Sequence, residues 1–368
     1  SALSEASTLP VETSPLRTWA NRQPFLIRLM NWEYWPAFLV NIPVVMFWLI
    51  HAVKARALFF FSAANPSIET GGVMGESKIA ILDQVPAEFK PKTVFVPHTT
   101  SAEAVEEMRM AAGLEYPIIA KPNVGERGLL VEKIADQVQL AHYASEIGAD
   151  YLLQNFVTEP LEVSVLHYRM PDADKGIITS FCLKEHLKVR GNGKDNLREL
   201  IHAYPRALLQ WPALEEKLAG RLNEVPAKDE IVELVPIGNH SRGAMFLDAN
   251  DLIDDQLHEV FDDLSNGLEG IYFCRYDLKC ESLESLRAKR DFKILEINGV
   301  AAEPAHIYDP TNSLMHAYKA MWQQWKAIYR VATAVHRQQG VPYMTWREAW
   351  DSLRKYQRYM KNSKNWRI

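Results

Sequence analysis

Residues 271–279, IYFCRYDLK, and residues 292–298, FKILEIN, decide how this chain is read. Both runs are rich in aromatic and β-branched residues, the composition of strands. Side chains two apart on a strand share a face. Glu296 and Asn298 therefore point the same way, towards Asp277 on a neighbouring strand, and Arg275 shares the face of Asp277. Such a set of oxygen-bearing side chains suits Mg²⁺, which is commonly held by one or two carboxylates together with substrate phosphates. A guanidinium beside them can bind a phosphate or a developing oxyanion. Taken singly, Asp277 and Glu296 also read as surface charges on an edge strand. The setting of Glu296, between Leu295 and Ile297, argues for a partner, because a polar group in an apolar strand is costly without one. The loop that follows, 299–310 (GVAAEPAHIYDP), adds Glu303, His306 and Asp309, and loops are where functional groups concentrate.

Outward from this pair, residues 76–310 alternate short strand-like runs with helical stretches. Strands are expected at 92–96, 116–121, 129–133, 151–156, 162–168, 176–184 and 231–236. Helices are expected at 101–113, begun by Ser101 and ended by Gly113, and at 135–147. Short turns between strand pairs favour mixed or antiparallel sheets over a doubly wound parallel sheet, so the fold class expected is α+β. Three regions follow: an aromatic, basic segment at 1–75, the body at 76–310, and a helical tail at 311–368. In the tail Trp322, Trp325, Ile328 and Val331 recur at helical spacing.

Composition narrows the function. The chain has 368 residues, 48% of them hydrophobic, ample for a large core. Its net charge of −5, with no basic–aromatic stripe in the body, gives no support for a nucleic-acid binder. Cys182, Cys274 and Cys280 show neither CxxC spacing nor a pairing pattern. They fit a reducing compartment, so a cytoplasmic location is expected, and they argue against a structural zinc site. The first residues do not read as a signal peptide. The apolar run 36–50 is interrupted by Asn41 and Pro43 and falls short of the roughly 20 residues a membrane span requires. Between 14 and 61, five basic residues face one acid, Glu33. The tail 343–368 carries seven basic and two acidic residues, with Trp346, Trp350, Leu353 and Met360 near one helical face and Tyr356 at its edge. Basic faces with aromatic anchors suit a helix lying at a membrane surface, here the inner face. The alternative is that both ends pack on each other or on the body.

The same residues resemble a known family. R-x-D, followed by an apolar strand ending E-x-N-G, resembles the metal-binding signature of the ATP-grasp superfamily, which includes D-alanine–D-alanine ligase, cyanophycin synthetase and glutathione synthetase. The resemblance implies that Asp277, Glu296 and Asn298 hold two Mg²⁺ ions, with Mn²⁺ as a substitute, against the phosphates of ATP. It implies that Arg275 stabilises the acyl-transfer intermediate. Residues 118–131 (IIAKPNVGERGLLV) resemble the family's strand–Lys–Gly-loop–strand unit. Lys121 would contact the α/β-phosphates, and the loop carrying Gly125, Arg127 and Gly128 would close over them. Arg127 departs from the glycine-richer pattern.

Residues 152–163 (LLQNFVTEPLEV) resemble the adenine and ribose segment. There Gln154, Asn155, Phe156 and Val157 would present backbone groups to the base, and Glu162 would accept from ribose hydroxyls. Residues 189–201 and 238–254 resemble two stretches of cyanophycin synthetase, with Asn192 in place of an Asp and with His240 and Arg242 where small residues are usual. Lys184 is the implied second phosphate lysine and Lys188 its alternative. Blocks in this order cover 76–310, about two-thirds of the chain. The resemblance implies that 1–75 stands where the family has a preceding domain.

The resemblance thus implies an α+β ATP-grasp fold, two lobes clasping ATP, and an ATP-dependent carboxylate–amine ligase working through an acylphosphate. Its partners would be ATP, a small-molecule or lipid-like carboxylate and an amine, with His240, Arg242 and the 299–309 loop orienting substrate. Two alternatives stay open: a membrane-tethered scaffold with a vestigial ATP site, and a kinase releasing a stable phosphorylated product.

Overall fold

The computed structural model describes residues 21–125, 128–235, 238, 240 and 243–363, without the side chains of Ala37, Met360, Asn362 and Ser363. Arg127, Arg242, the first 20 residues and the place of Met360 on the tail's face therefore lie outside the described residues.

The strands in chain order are β1 (Thr93–Val96), β2 (Ile118–Pro122), β3 (Glu132–Ile134), β4 (Tyr151–Asn155), β5 (Leu161–Arg169), β6 (Gly176–Glu185), β7 (Leu187–Arg190), β8 (Ile231–Val235), β9 (Met245–Asp248), β10 (Phe273–Cys280) and β11 (Phe292–Asn298). They form sheets of order β1-β4-β2-β3, β11-β10-β5-β6-β9 and β7-β8. The pairings β1–β4, β2–β3, β2–β4, β5–β10, β10–β11 and β7–β8 are all antiparallel, one of the two arrangements, mixed or antiparallel, that the short turns favour. With helices between and after them, the architecture is α+β. The strand expected at 129–133 forms later, at Glu132–Ile134, because Leu130 takes a left-handed φ of 58° that no strand tolerates.

Two compact units divide the chain. The larger has as its described parts 43–125, 128–183, 248–307 and 315–363. Its four-stranded sheet carries the helices Ala102–Ala111 and Gln137–Glu146, each capped as its first residues dictate. Ser101 Oγ accepts from Ala104 N at 3.3 Å, and Asp136 Oδ1 accepts from Gln139 N at 2.9 Å. Val105, Ile118, Leu140, Tyr143 and Tyr151 close a core between helices and sheet. The five-stranded sheet packs one side against Leu257, Val260, Phe261 and Leu264 of the helix Asp255–Asn266.

A third core in this unit joins the aromatic tract to the tail. Phe60, Phe61, Tyr168 and Phe273 pack with Ile328, Val331 and Val335 of the 26-residue helix Leu314–Gln339. Phe59 meets Trp346 edge-on at 5.0 Å, so at these positions the two ends of the chain do pack on each other. No helix among the described residues is long and apolar enough to cross a membrane.

The smaller unit comprises 21–42, the described residues of 184–247, and 308–314. The β7–β8 pair and the helices Leu197–Ala203, Pro205–Leu208 and Trp211–Lys217 bury Leu187, Leu197, Ile201, Leu214 and Leu234. A capping box between Asn196 and Glu199 opens the first of these helices.

Candidate functional site

Antiparallel pairing sets Asp277 opposite Glu296 and Arg275 opposite Asn298, so four polar side chains share one face of β10 and β11. They touch. Asp277 Oδ2 accepts from Arg275 Nη2 and from Asn298 Nδ2, both at 3.0 Å. Arg275 Nη1 donates to the carbonyl of Glu303 at 3.1 Å, tying the 299–310 loop to the strand. The buried Arg275 Nε has no acceptor among the described residues.

Two lysines reach this face from elsewhere in the larger unit. Lys121, on β2, is buried; its Nζ donates to Gln154 Oε1 at 3.1 Å and to the Leu295 carbonyl of β11 at 3.0 Å. Lys78, at the first turn of the helix Lys78–Leu82, donates to Glu296 Oε1 at 2.5 Å and to the Gly125 carbonyl at 2.7 Å. Asn123 positions that helix, accepting from Ile79 N at 3.0 Å and donating to Ser77 Oγ at 3.0 Å. Nothing in the sequence singles Lys78 out: it is one basic residue opening a short apolar helix, and its partner lies 218 positions away.

The electrostatics follow from burial. Desolvation pulls the Lys121 ammonium down to a pKa of about 8, against the pull of Glu296. Burial also pushes Glu296 up, but Lys78 and Lys121 outweigh it and hold the carboxyl below its ordinary range. Glu296 is thus kept ionised, the form in which a carboxylate ligates a hard cation. Asp277, Glu296 and Asn298 offer oxygen donors only, all on one face, and they fit Mg²⁺ on this ground.

A crossing of glycines explains the end of the E-x-N-G pattern. Gly71 and Gly72 pass directly over Gly299, their carbonyls accepting from Val300 N at 3.1 Å and Ala301 N at 3.0 Å. A Cβ on Gly299 would lie 2.6 Å from Gly72 Cα, so only glycine fits after Asn298.

The adenine-segment residues are placed unevenly. β4 is paired on both sides at Gln154, with β1 and with β2, so its backbone there is taken up by the sheet. Its side chain bridges Lys121 and Thr93 Oγ1, the latter at 2.9 Å. Asn155 N donates to Lys92 O at 3.0 Å. Phe156 and Val157 lie past the strand end, with Lys133 Nζ 3.9 Å above the Phe156 ring and Lys279 Nζ donating to Val157 O at 3.3 Å. Glu162 is buried on β5, opposite Lys279. Gly125 and Gly128 flank the undescribed pair Glu126 and Arg127, with Gly128 at φ 67°.

The remaining residues belong to the smaller unit. Lys184 Nζ sits 5.5 Å from the Phe246 ring, and Lys188 pairs with Glu185 at 3.9 Å. His240 Nε2 meets Glu33 Oε2 at 2.5 Å, and Arg206 Nη2 reaches the same carboxylate at 2.9 and 3.1 Å. Burial pushes Glu33 up, yet His240 and Arg206 hold it below the ordinary carboxylate range. Tyr34 stacks on the His240 ring at 6.2 Å, and the Tyr308 ring lies tilted against it at 4.7 Å. His240 is therefore a member of a hydrogen-bonded cluster around the buried carboxylate of Glu33, a residue that stands out in the sequence only as a lone acid.

No family model matches the sequence, and no curated protein matches it. Among solved structures the chain is similar to a bifunctional glutathione synthetase from Pasteurella multocida, at 17% identity and TM-score 0.36 over 65% of this chain and 34% of that one. It is similar to the VanG D-Ala:D-Ser ligase from Enterococcus faecalis, at 12% identity and TM-score 0.41 over 72% and 63%. The D-alanine–D-alanine ligase from Bacillus anthracis gives 11% identity and TM-score 0.40 over 72% and 69%. The chain thus spans about a third of the first and less than two-thirds of the second. These are likenesses only, and the site is defined by this chain's own residues.

Proposed function

We propose that this chain is an ATP-dependent carboxylate–amine ligase of the ATP-grasp type. The observation that carries the reading is the single face of β10 and β11 on which Arg275, Asp277, Glu296 and Asn298 converge, with Lys78 and Lys121 closing on it. Three basic and two acidic side chains packed together suit a ligand that is itself a polyanion bridged by a metal.

In this reading Asp277, Glu296 and Asn298 hold Mg²⁺, which when bound neutralises phosphate charge. Lys121 would contact the phosphates. A substrate carboxylate oxygen attacks the γ-phosphorus, the bond to the β-bridging oxygen breaks, and ADP leaves with that electron pair. The amine then attacks the acyl carbon. Inorganic phosphate departs, the nitrogen loses a proton, and an amide remains. Arg275, whose Nε–H has no acceptor among the described residues, would stabilise the oxyanion of that second step.

The surface of the larger unit bears on the substrate. On the helix Ile42–Ala55, Val45, Met46, Leu49, Ile50 and Val53 form one exposed apolar stripe, Val53 being 77% exposed. Beside it, Lys54, Lys326 and Arg330 line a cavity with His51, Trp322 and Tyr329. An apolar stripe rimmed by cations complements an anionic lipid surface, and we assign it that role, with a carboxylate drawn from or near the membrane.

A panel of amino-acid, dicarboxylic and fatty acids, each offered with ATP, Mg²⁺ and hydroxylamine, tests the reaction. Phosphate release with hydroxamate formation, lost in Asp277→Asn, is the expected result. A hydroxylamine-resistant phosphorylated product would make the chain a kinase. Absence of any ATP binding would make it a scaffold.

A further inference from the structure

We infer that Asp248, His306 and His316 form a second metal site, of the zinc class, separate from the Asp277–Glu296–Asn298 face. The three come from different elements of the larger unit: the end of β9, the 3₁₀ turn Ala305–Tyr308, and the first turn of the helix Leu314–Gln339. One ligand atom of each lies within 4.8 Å of the others. His316 Nε2 and Asp248 Oδ2 are 3.8 Å apart, and the two imidazole rings stand nearly perpendicular at 5.6 Å. A tetrahedral zinc with bonds of about 2.0–2.1 Å sets its ligand atoms roughly 3.3 Å from one another. Closing on an ion therefore takes a contraction of up to about 1.5 Å, within reach of side-chain rotation.

The surroundings have the form that supports metal ligands. Liganding histidines usually engage their second nitrogen, which fixes the ring and its tautomer. Here His306 Nδ1 faces Ser180 Oγ at 2.8 Å, so Nε2 is the nitrogen turned to the metal. Asp248 Oδ1 accepts from Asn250 N at 3.1 Å, and Asn250 Oδ1 in turn accepts from Phe181 N at 2.7 Å, which orients Asp248 with Oδ2 towards His316. His306 is buried, whereas the His316 side chain is 44% exposed, leaving an open side for water as the fourth ligand. Two imidazoles and one carboxylate suit Zn²⁺, while Mg²⁺ prefers an all-oxygen shell.

Such an ion would link the sheet, the loop after β11 and the long helix. It would thereby brace the 299–309 loop, whose His306 follows Asn298 by eight residues. The zinc site stands independently of the ligase reading, and its test does not use turnover.

Tag-free protein, stripped with chelator and dialysed, is titrated with Zn²⁺ against a chromophoric competitor and with Co²⁺ followed by its visible absorption. One zinc per chain is expected, with a rise in melting temperature on loading. His316→Ala, at an exposed position, should fold, bind at least tenfold more weakly and show no such rise. Ser180→Ala should bind about tenfold more weakly through the loss of ring orientation. Asp277→Asn should load zinc as the wild type does. No uptake by the wild type, or equal uptake by His316→Ala, overturns the site.

Discussion

At the scale of single residues, Lys121 is the most telling group. Its pKa of about 8 reflects burial among few acceptors, so near that pH a fraction of the ammonium is deprotonated. In the proposed reading a triphosphate beside it would restore the proton. Binding of ATP at pH about 8–8.5 is therefore expected to take up protons, seen by calorimetry in buffers of different ionisation enthalpy, and Lys121→Met should abolish the uptake. Glu296 works in the opposite sense. Its folded pKa is depressed, so its contribution to stability is present above the ordinary carboxylate value and is lost as pH falls through the lower folded one. Glu296→Gln should lower unfolding free energy at neutral pH by about 1–3 kcal/mol, discounted because the side chain is 29% exposed, and should flatten the acid limb of stability against pH. Equal acid limbs in urea titrations of the two proteins would refute the role given to Lys78 and Lys121. That Asp277, Glu296, Asn298 and Arg275 share a face was legible in the sequence because a strand alternates its faces. Lys78 was not, because nothing local marks a lysine whose partner arrives from the far end of the chain.

At the scale of elements, the aromatic segment is joined to the site strands by backbone contacts. Asn65 is fully buried and makes four hydrogen bonds: Nδ2 donates to Gly71 O and Phe273 O, and Oδ1 accepts from Tyr272 N and Phe273 N, all at 2.8–3.0 Å. Asn65→Ala leaves two buried N–H groups at the start of β10 unpaired, so a loss of about 2–4 kcal/mol is expected by chemical denaturation. Gly72 sits at φ 88°, and a Cβ there would lie 2.4 Å from Gly299 Cα. Gly72→Ala should displace the 299–301 turn and weaken Mg²⁺-dependent ATP binding by tenfold or more. Unchanged binding would show that the glycine crossing does not support the site. Of these elements, the strands and capped helices were readable from alternation and from Ser101 and Asp136. The glycine crossing was not, since each glycine alone reads as an ordinary turn.

At the scale of the molecule, the helix Ile42–Ala55 and the cationic cavity beside it set an expected behaviour. The protein should sediment with vesicles containing phosphatidylglycerol, release as salt rises, and ignore pure phosphatidylcholine. The double variant Met46→Glu, Val53→Glu places acids on the exposed stripe and should cut sedimentation at least fivefold while leaving the melting temperature unchanged. Retained sedimentation would exclude this stripe as a membrane contact. The apolar run at 36–50 already showed in the sequence that something there is greasy and too short to span. Which side of it faces outward depends on His51 turning inward to Trp322 and Tyr329, rings about 5 Å away on the tail helix.

By itself, then, the sequence determined the strand pair 271–279 and 292–298, the shared face of Asp277 and Glu296, sheets that are not doubly wound and parallel, and the helical tail. All of these arise from side-chain periodicity over a few residues, which local sterics and burial impose. Only the tertiary structure decided that Lys78 meets Glu296 across 218 residues and that Asn65 meets Phe273 across 208. It alone placed His240 with Glu33, and gathered Asp248, His306 and His316 from three elements. Those pairings depend on where distant segments cross, and no periodicity along the chain records a crossing.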